Sequence, residues 1–217
     1  MPKLSDEKQE ERRAHILDAA ERCFTRAGFR GASMQEICRE AGVSPGALYV
    51  WFKSKEDLIA GIAARNRDEV LESFALFADA EDFMAGMAAV LASCVLNQPR
   101  EKSVLCLEIG AEATRNPAVA ATLARFDEVV DGSLRDLLAA AQAKGMIRPR
   151  LPLEDMISAM VVIADGLFWR RAVDPDFDGE ATGRALLAMV SEALGARPAD
   201  ASGGLATAEP SILESER

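Results

Sequence analysis

Residues 31–57 read GASMQEICREAGVSPGALYVWFKSKED, and their spacing predicts two short helices joined by a tight turn. Met34, Ile37, Cys38 and Ala41 fall at i, i+3, i+4 and i+7, the apolar stripe of one helix face. Gly42 is free to take the positive φ of a bend, and Val43 follows as a hydrophobic plug. Ser44 then offers an N-cap hydroxyl, with Pro45 at the first helical position. Leu48 points back to the core, while Tyr49 and Trp51 lie off that inward row. A helix-turn-helix reads in this way, with its second helix shaped to enter a DNA major groove.

Outward from this stretch the chain reads as helix after helix. The 217 residues are 49% hydrophobic and suit a folded protein of one or two subdomains. No sustained two-residue alternation occurs, so the expected fold is all-α, with about nine helices. Residues 1–10 are polar and read as a flexible arm. Helix 1 is expected from about Glu11 to Ala27, with Ile16, Ala20, Cys23, Phe24 and Ala27 on one face, Gly28 as its stop and Phe29 turned into the core. Ser33 and Glu36 form an S-x-x-E capping box at the start of helix 2, and Ser54 with Asp57 opens helix 4.

Helix 4 runs on to about Phe77. Further helices are expected at about 81–97, 102–115, 116–144, 153–173 and 180–194. The breaks between them are marked by Asp79-Ala80, Pro99, Asn116-Pro117, Gly145, the stretch Ile147–Pro152, and DPDFDG. These divide the chain into a DNA-binding domain at 11–70, a ligand-binding and dimerisation domain at 71–195, and a tail at 196–217 too polar and apolar-poor to fold.

The net charge of −10 is unevenly spread. Arg12 to Arg67 hold ten Lys/Arg against six Asp/Glu, whereas Leu71 onward holds 13 against 23. Only the local field meets phosphates, so a mildly basic head on an acidic body is compatible with DNA. Cys23, Cys38, Cys94 and Cys106 show no C-x-x-C spacing, and the single His15 cannot complete a zinc set. No metal or cofactor is expected. With no signal peptide and no apolar run long enough for a bilayer, the expected location is a reducing cytoplasm.

The small residue before Gly42-Val43-Ser44, then Pro45-Gly46, Leu48-Tyr49, Phe52 and Lys55, resembles the TetR family of transcriptional regulators. The likeness is specific over residues 11–62 and extends only in outline beyond them. It implies that Ser44, Pro45, Gly46, Tyr49 and Trp51 face DNA, with Ser33 and Lys55 on flanking phosphates. The residue types suit these roles. A helix N-terminus such as that at Ser33 attracts anions, Gly46 lets the backbone approach, and Tyr49 offers a ring and a hydroxyl. Trp51 stands where relatives often have His or Tyr, though its indole N–H can still donate. Phe52 reads as core, and Arg39 as a backbone contact from helix 2. No Arg, Asn or Gln lies on the recognition helix, so the operator sequence is not legible from it.

For the body, the resemblance implies a small-molecule pocket between Phe74 and Lys144. It also implies a homodimer formed by the last two helices, a near-palindromic operator and release by a small apolar effector. Phe83, Met84, Met87, Leu91, Cys94 and Leu105 would supply soft walls, although for any one of them plain core is the ordinary reading. Glu108, Glu112 and Asp165 would supply polar handles, although Glu108, Glu112 and Arg115 also fit an ordinary surface set. Met156, Met160, Ile163, Leu167, Leu186, Met189, Val190 and Leu194 are the expected dimer face. Three alternatives stay open: a thiol-based redox sensor using Cys94 and Cys106, a DNA-binding architectural protein without a ligand, and a helical enzyme. The enzyme has one histidine, no nucleophile elbow and no phosphate loop to work with.

Overall fold

A computed structural model describes residues 6–78, 80 and 82–196. Among these residues the chain forms nine α-helices and no strand: α1 (Asp6–Gly31), α2 (Met34–Glu40), α3 (Pro45–Trp51), α4 (Lys55–Phe77), α5 (Phe83–Leu91), α6 (Arg100–Ala113), α7 (Pro117–Ala143), α8 (Leu153–Val173) and α9 (Gly179–Leu194). A π-helical turn, Ala92–Leu96, continues α5 and is marked by the 2.8 Å bond from Asn97 N to Ala92 O. α1 begins at Asp6, so residues 6–10, expected in the flexible arm, are helical. Residues 1–5 and most of the expected tail, 197–217, lie outside the described residues.

The helix ends follow local chemistry. Ser33 accepts from Glu36 N while the Glu36 carboxylate accepts from Ser33 N, so the capping box is complete. Ser54 caps α4 by accepting from Asp57 N, but the Asp57 carboxylate turns to Lys53 N instead of closing a box. Gly28 takes φ +69 and a non-helical ψ, so the helix breaks where its stop is expected, and a short second helical segment carries α1 on through Gly31. Beyond the kink Phe29 turns inward against Phe24, ring centroids 5.6 Å apart.

Two apolar cores result. The first joins α1, α2, α3 and the start of α4 through Ile16, Leu17, Phe24, Ile37, Leu48, Phe52, Leu58, Ile59 and Ile62. It also takes in Leu105 and Ile109 of α6 and Val119 of α7, so the body helices help complete the head. The second core gathers Phe74, Phe83, Met87, Leu134, Leu138, Met156, Ile157, Val190 and Leu194. α4 contributes to both, with α7 packed along it.

Candidate functional site

α3 buries Leu48 completely and turns Phe52, just past its end, into the core. Its opposite side is open: Ser44, Pro45, Gly46 and Tyr49 are exposed together at its first turns, with Tyr49 48% accessible. Ser44 caps the helix by accepting from Ala47 N at 3.3 Å. Nothing lies within 4 Å of where a Gly46 side chain would begin, so this turn presents bare backbone. Trp51 differs from Tyr49, being half-buried and packed against the head core.

The two flanking residues are already engaged. The Ser33 hydroxyl donates to Glu36 Oε2 at 2.9 Å, so a carboxylate occupies the helix N-terminus where phosphate was expected. Hydrogen bonds from the Ser33 hydroxyl and backbone hold that carboxylate below its usual value. Lys55 Nζ donates to the carbonyls of Phe29 and Ala32 and lies 4.4 Å from the centre of the Phe29 ring. It braces the corner between α1 and α2, which leaves at most one of its three N–H groups for a phosphate. Lys53 and Arg39 are the exposed cations beside the helix-turn-helix.

In the body, α4, α5 with its π turn, α7, α8 and α9 line an apolar cavity of about 250 Å³ that opens to the surface. Of the expected ligand-binding residues, Met87, Leu91, Cys94 and Asp165 line it. The others do not. Phe83 is buried in the second core away from the cavity wall. Leu105 belongs to the first core. Glu108 approaches Gly28, its Oε2 lying 2.9 Å from where a β-carbon would sit there. Glu112, only 4% exposed, forms ion pairs with Arg30 at 3.5 Å and Arg115 at 2.7 Å. Burial alone would raise its carboxyl, and the two guanidiniums outweigh that, holding it below the usual range. For Leu105, Glu108 and Glu112 the physical reason is that α6 turns this face to the head, not to the cavity, whereas Phe83 at the start of α5 packs into the second core. A larger cleft of about 650 Å³ between α1, α4 and α6 is walled by charged residues and crossed by ion pairs from Arg65 to Asp18 and Glu21 and from Lys102 to Glu69.

The expected dimer face also needs correction. Met156, Leu167, Val190 and Leu194 are buried in the chain's own core. Met160, Ile163 and Leu186 line the cavity. Only Met189 of that set is exposed. The open apolar stripe on α8 is instead Val162, Trp169 and Val173, with Gly166 between them.

Sequence reading missed two positioning devices. Arg171 donates to the carbonyls of Leu96 and Gln98, closing the end of the π turn, and Arg100 returns bonds to Arg171 O and Ala172 O. Asn116 caps α7 and also donates to Glu56 of α4. The Asn-Pro pair signalled the cap, but nothing local signalled the long-range partner.

A helix-turn-helix head with an exposed recognition helix, set on a helical body, defines a DNA-binding transcriptional regulator. Residues 16–62 match the family described as bacterial regulatory proteins, tetR family, and residues 85–196 match the BetI-type transcriptional repressor C-terminal family. The chain belongs to the TetR family of transcriptional regulators. It is 35% identical over 137 residues to the HTH-type transcriptional regulator UidR of Escherichia coli, covering 63% of this chain and 69% of UidR. It is 27% identical over 172 residues to the repressor AcnR of Corynebacterium glutamicum, covering 77% and 85% of the two chains. The structure of Salmonella enterica GusR superposes with a TM-score of 0.69 at 28% identity over 85% of this chain and 96% of GusR. A putative TetR-family regulator from Rhodococcus sp. shares the fold, with a TM-score of 0.75 at 24% identity over 85% and 99%.

The redox alternative gains no support. Cys94 lies in the π turn at the cavity, whereas burial pushes the Cys106 thiol on α6 to about 11, the opposite of a reactive thiolate. The family is made up of DNA-binding regulators, which leaves the enzyme alternative without support as well.

Proposed function

We propose that this chain is a cytoplasmic, homodimeric repressor that binds a near-palindromic operator and leaves it when a small effector enters the body cavity. The observation that carries the reading is the span of α4. Its first turn is tied to the head by Lys55, and its last turns place Val70 and Phe74 in the cavity wall. A helix of 23 residues is about 34 Å long, so one rigid element spans sensor and reader. A ligand that favours a different α4 tilt would change the spacing of two recognition helices, which must meet half-sites about 34–36 Å apart or multiples of that.

Ser44, Pro45, Gly46 and Tyr49 carry direct contact in this reading, with Lys53 and Arg39 adding phosphate contacts. Ser33, Trp51 and Lys55 shape the surface and contribute secondary contacts. The names of UidR and of the repressor AcnR support a role at promoters. A gel-shift titration with DNA upstream of the chain's own and neighbouring genes tests it. A salt-dependent, sequence-selective complex containing two chains is expected. Equal affinity for random DNA would overturn the operator reading.

A further inference from the structure

Val50 is an apolar side chain that the fold of the head does not use. It is 77% exposed and joins neither apolar core, while Leu48 and Phe52 on either side of it are buried and Trp51 packs on the head core. Gly46, Tyr49, Val50 and Lys53 follow at i, i+3, i+4 and i+7, and all four are exposed, so they share the open side of α3. A β-branched residue at a solvent-facing helical position loses rotamer freedom and gains nothing from packing. Alanine would serve this seven-residue helix better, so folding does not account for the valine.

The chemistry of the open side is unusual for a surface that reads bases. α3, PGALYVW, holds no Arg, Lys, Asn, Gln, Asp or Glu to pair with a base edge. The Ser44 hydroxyl is engaged with Ala47 N, which leaves Tyr49 as the exposed hydroxyl on the helix. The major groove offers one apolar feature, the C5 methyl of thymine, and cytosine carries only hydrogen there. Helical side chains lean towards the N-terminus, so Val50 stands over the turn that begins at Gly46. Nothing lies within 4 Å of where a Gly46 side chain would begin, so a methyl can enter beside Val50 without displacing protein atoms. Arg39 and Lys53, both exposed, give the same head the positive charge that phosphates on the flanks of a groove require.

We propose that Val50 reads thymine: its isopropyl group packs against the C5 methyl of one thymine in each operator half-site, and this contact is a determinant of sequence. The proposal rests on the reading that α3 lies in the major groove, and it adds the residue and the base feature that discriminates.

Substitution of single atoms in the DNA tests it. The full-length protein selects its preferred duplex from a randomised pool, and deoxyuridine then replaces each thymine of that duplex in turn. Uracil lacks the methyl and keeps the hydrogen-bonding edge of thymine. Gel shifts are expected to show a loss of about fourfold at one thymine in each half-site, the effect of withdrawing one methyl from an apolar contact. V50A is expected to bind the thymine duplex no more tightly than the parent binds the uracil one, and to show no further loss with uracil. Its melting temperature should equal or exceed that of the parent, since alanine is the better helix former at an exposed position. V50E sets a carboxylate on the same face and is expected to abolish binding at protein concentrations that saturate the parent, with the fold checked by the same melt. Absence of any sensitive thymine, or a uracil penalty undiminished in V50A, overturns the assignment to Val50, and loss of binding in V50E then still keeps α3 in the groove. Operator binding unchanged in V50E overturns the placement of α3 as well. A pool that yields no preferred duplex overturns the sequence-specific reading on which both stand.

Discussion

Asn116 donates its side-chain amide to Glu56 at 2.9 Å, joining the first turn of α7 to the first turn of α4 across 60 residues. The same side chain caps α7, its oxygen accepting from Ala118 N at 3.1 Å. One residue therefore fixes the α6–α7 corner and holds the body helices against the base of the head. Asn116→Ala is expected to lower stability by about 0.5–2 kcal/mol through the lost cap alone. Asn116→Asp keeps a capping oxygen but sets a carboxylate against Glu56, so it separates cap from tether. Urea denaturation should show the alanine variant as the less stable if the cap dominates. If the tether dominates, the aspartate variant falls as far or further.

Glu112 makes stability at the same junction pH-dependent in a defined direction. Its carboxyl is held below the ordinary value in the folded chain, by Arg115 and Arg30 against the opposing effect of burial. A depressed acid contributes stability above its unfolded pKa and loses it as pH falls through the folded one. Glu112→Gln should thus melt earlier than the parent at pH 7. The gap should close in acid, below the ordinary glutamate value of about 4.3. Melting temperatures of both proteins across that range check this, and a gap that widens in acid would contradict the arrangement.

Tyr49 and Lys55 should separate on mutation although six residues part them. Tyr49 is half exposed on the open face of α3, so Tyr49→Ala is expected to leave stability within about 0.5 kcal/mol and weaken operator binding by about 1–3 kcal/mol. Lys55→Ala removes bonds to two carbonyls and the contact over Phe29, so its main effect should be a lower melting temperature. Thermal melts paired with gel shifts read both quantities. Similar profiles for the two variants would mean that Lys55 belongs to the reading surface.

The head was legible in the sequence because its determinants are local. The capping box at Ser33, the positive φ of Gly42 and the proline start of α3 each act within four residues. α8 emerged with the expected bounds, since Pro152 opens it and DPDFDG follows it. The cavity was less legible. Leu105, Glu108 and Glu112 follow an ordinary helical period, and nothing in that period tells which neighbour α6 will meet. The same limit applies to the expected dimer face, because two apolar stripes on α8 look alike until one is covered by α6 and α7.

That uncovered stripe gives a direct expectation for assembly. Val162, Trp169 and Val173 of α8 and Met189 of α9 are exposed. Gly166 sits among them with open space where a side chain would begin, so a partner helix can approach closely there. Obligate dimers bury on the order of 2,000 Å² or more, largely apolar at the centre. Trp169→Glu places a charge in that seam and is expected to yield monomers in light scattering at micromolar concentration, with helicity retained. A dimer that persists in Trp169→Glu would move the interface elsewhere.

Gly46 tests the reading face from the side of stability. Its position is helical with no positive φ, and no atom lies within 4 Å of a built β-carbon. Alanine there adds no clash and removes backbone freedom from the unfolded chain, a gain of about 0.4–1 kcal/mol at a compatible site. Gly46→Ala is therefore expected to raise the melting temperature slightly. If the first turn of α3 meets DNA closely, the added methyl must weaken operator binding in the same protein. Stability and affinity would then move in opposite directions, a pattern that general damage to the head cannot produce. A gel shift on the stabilised variant decides the point: undiminished affinity would place the backbone of α3 further from the DNA than its bare first turn suggests.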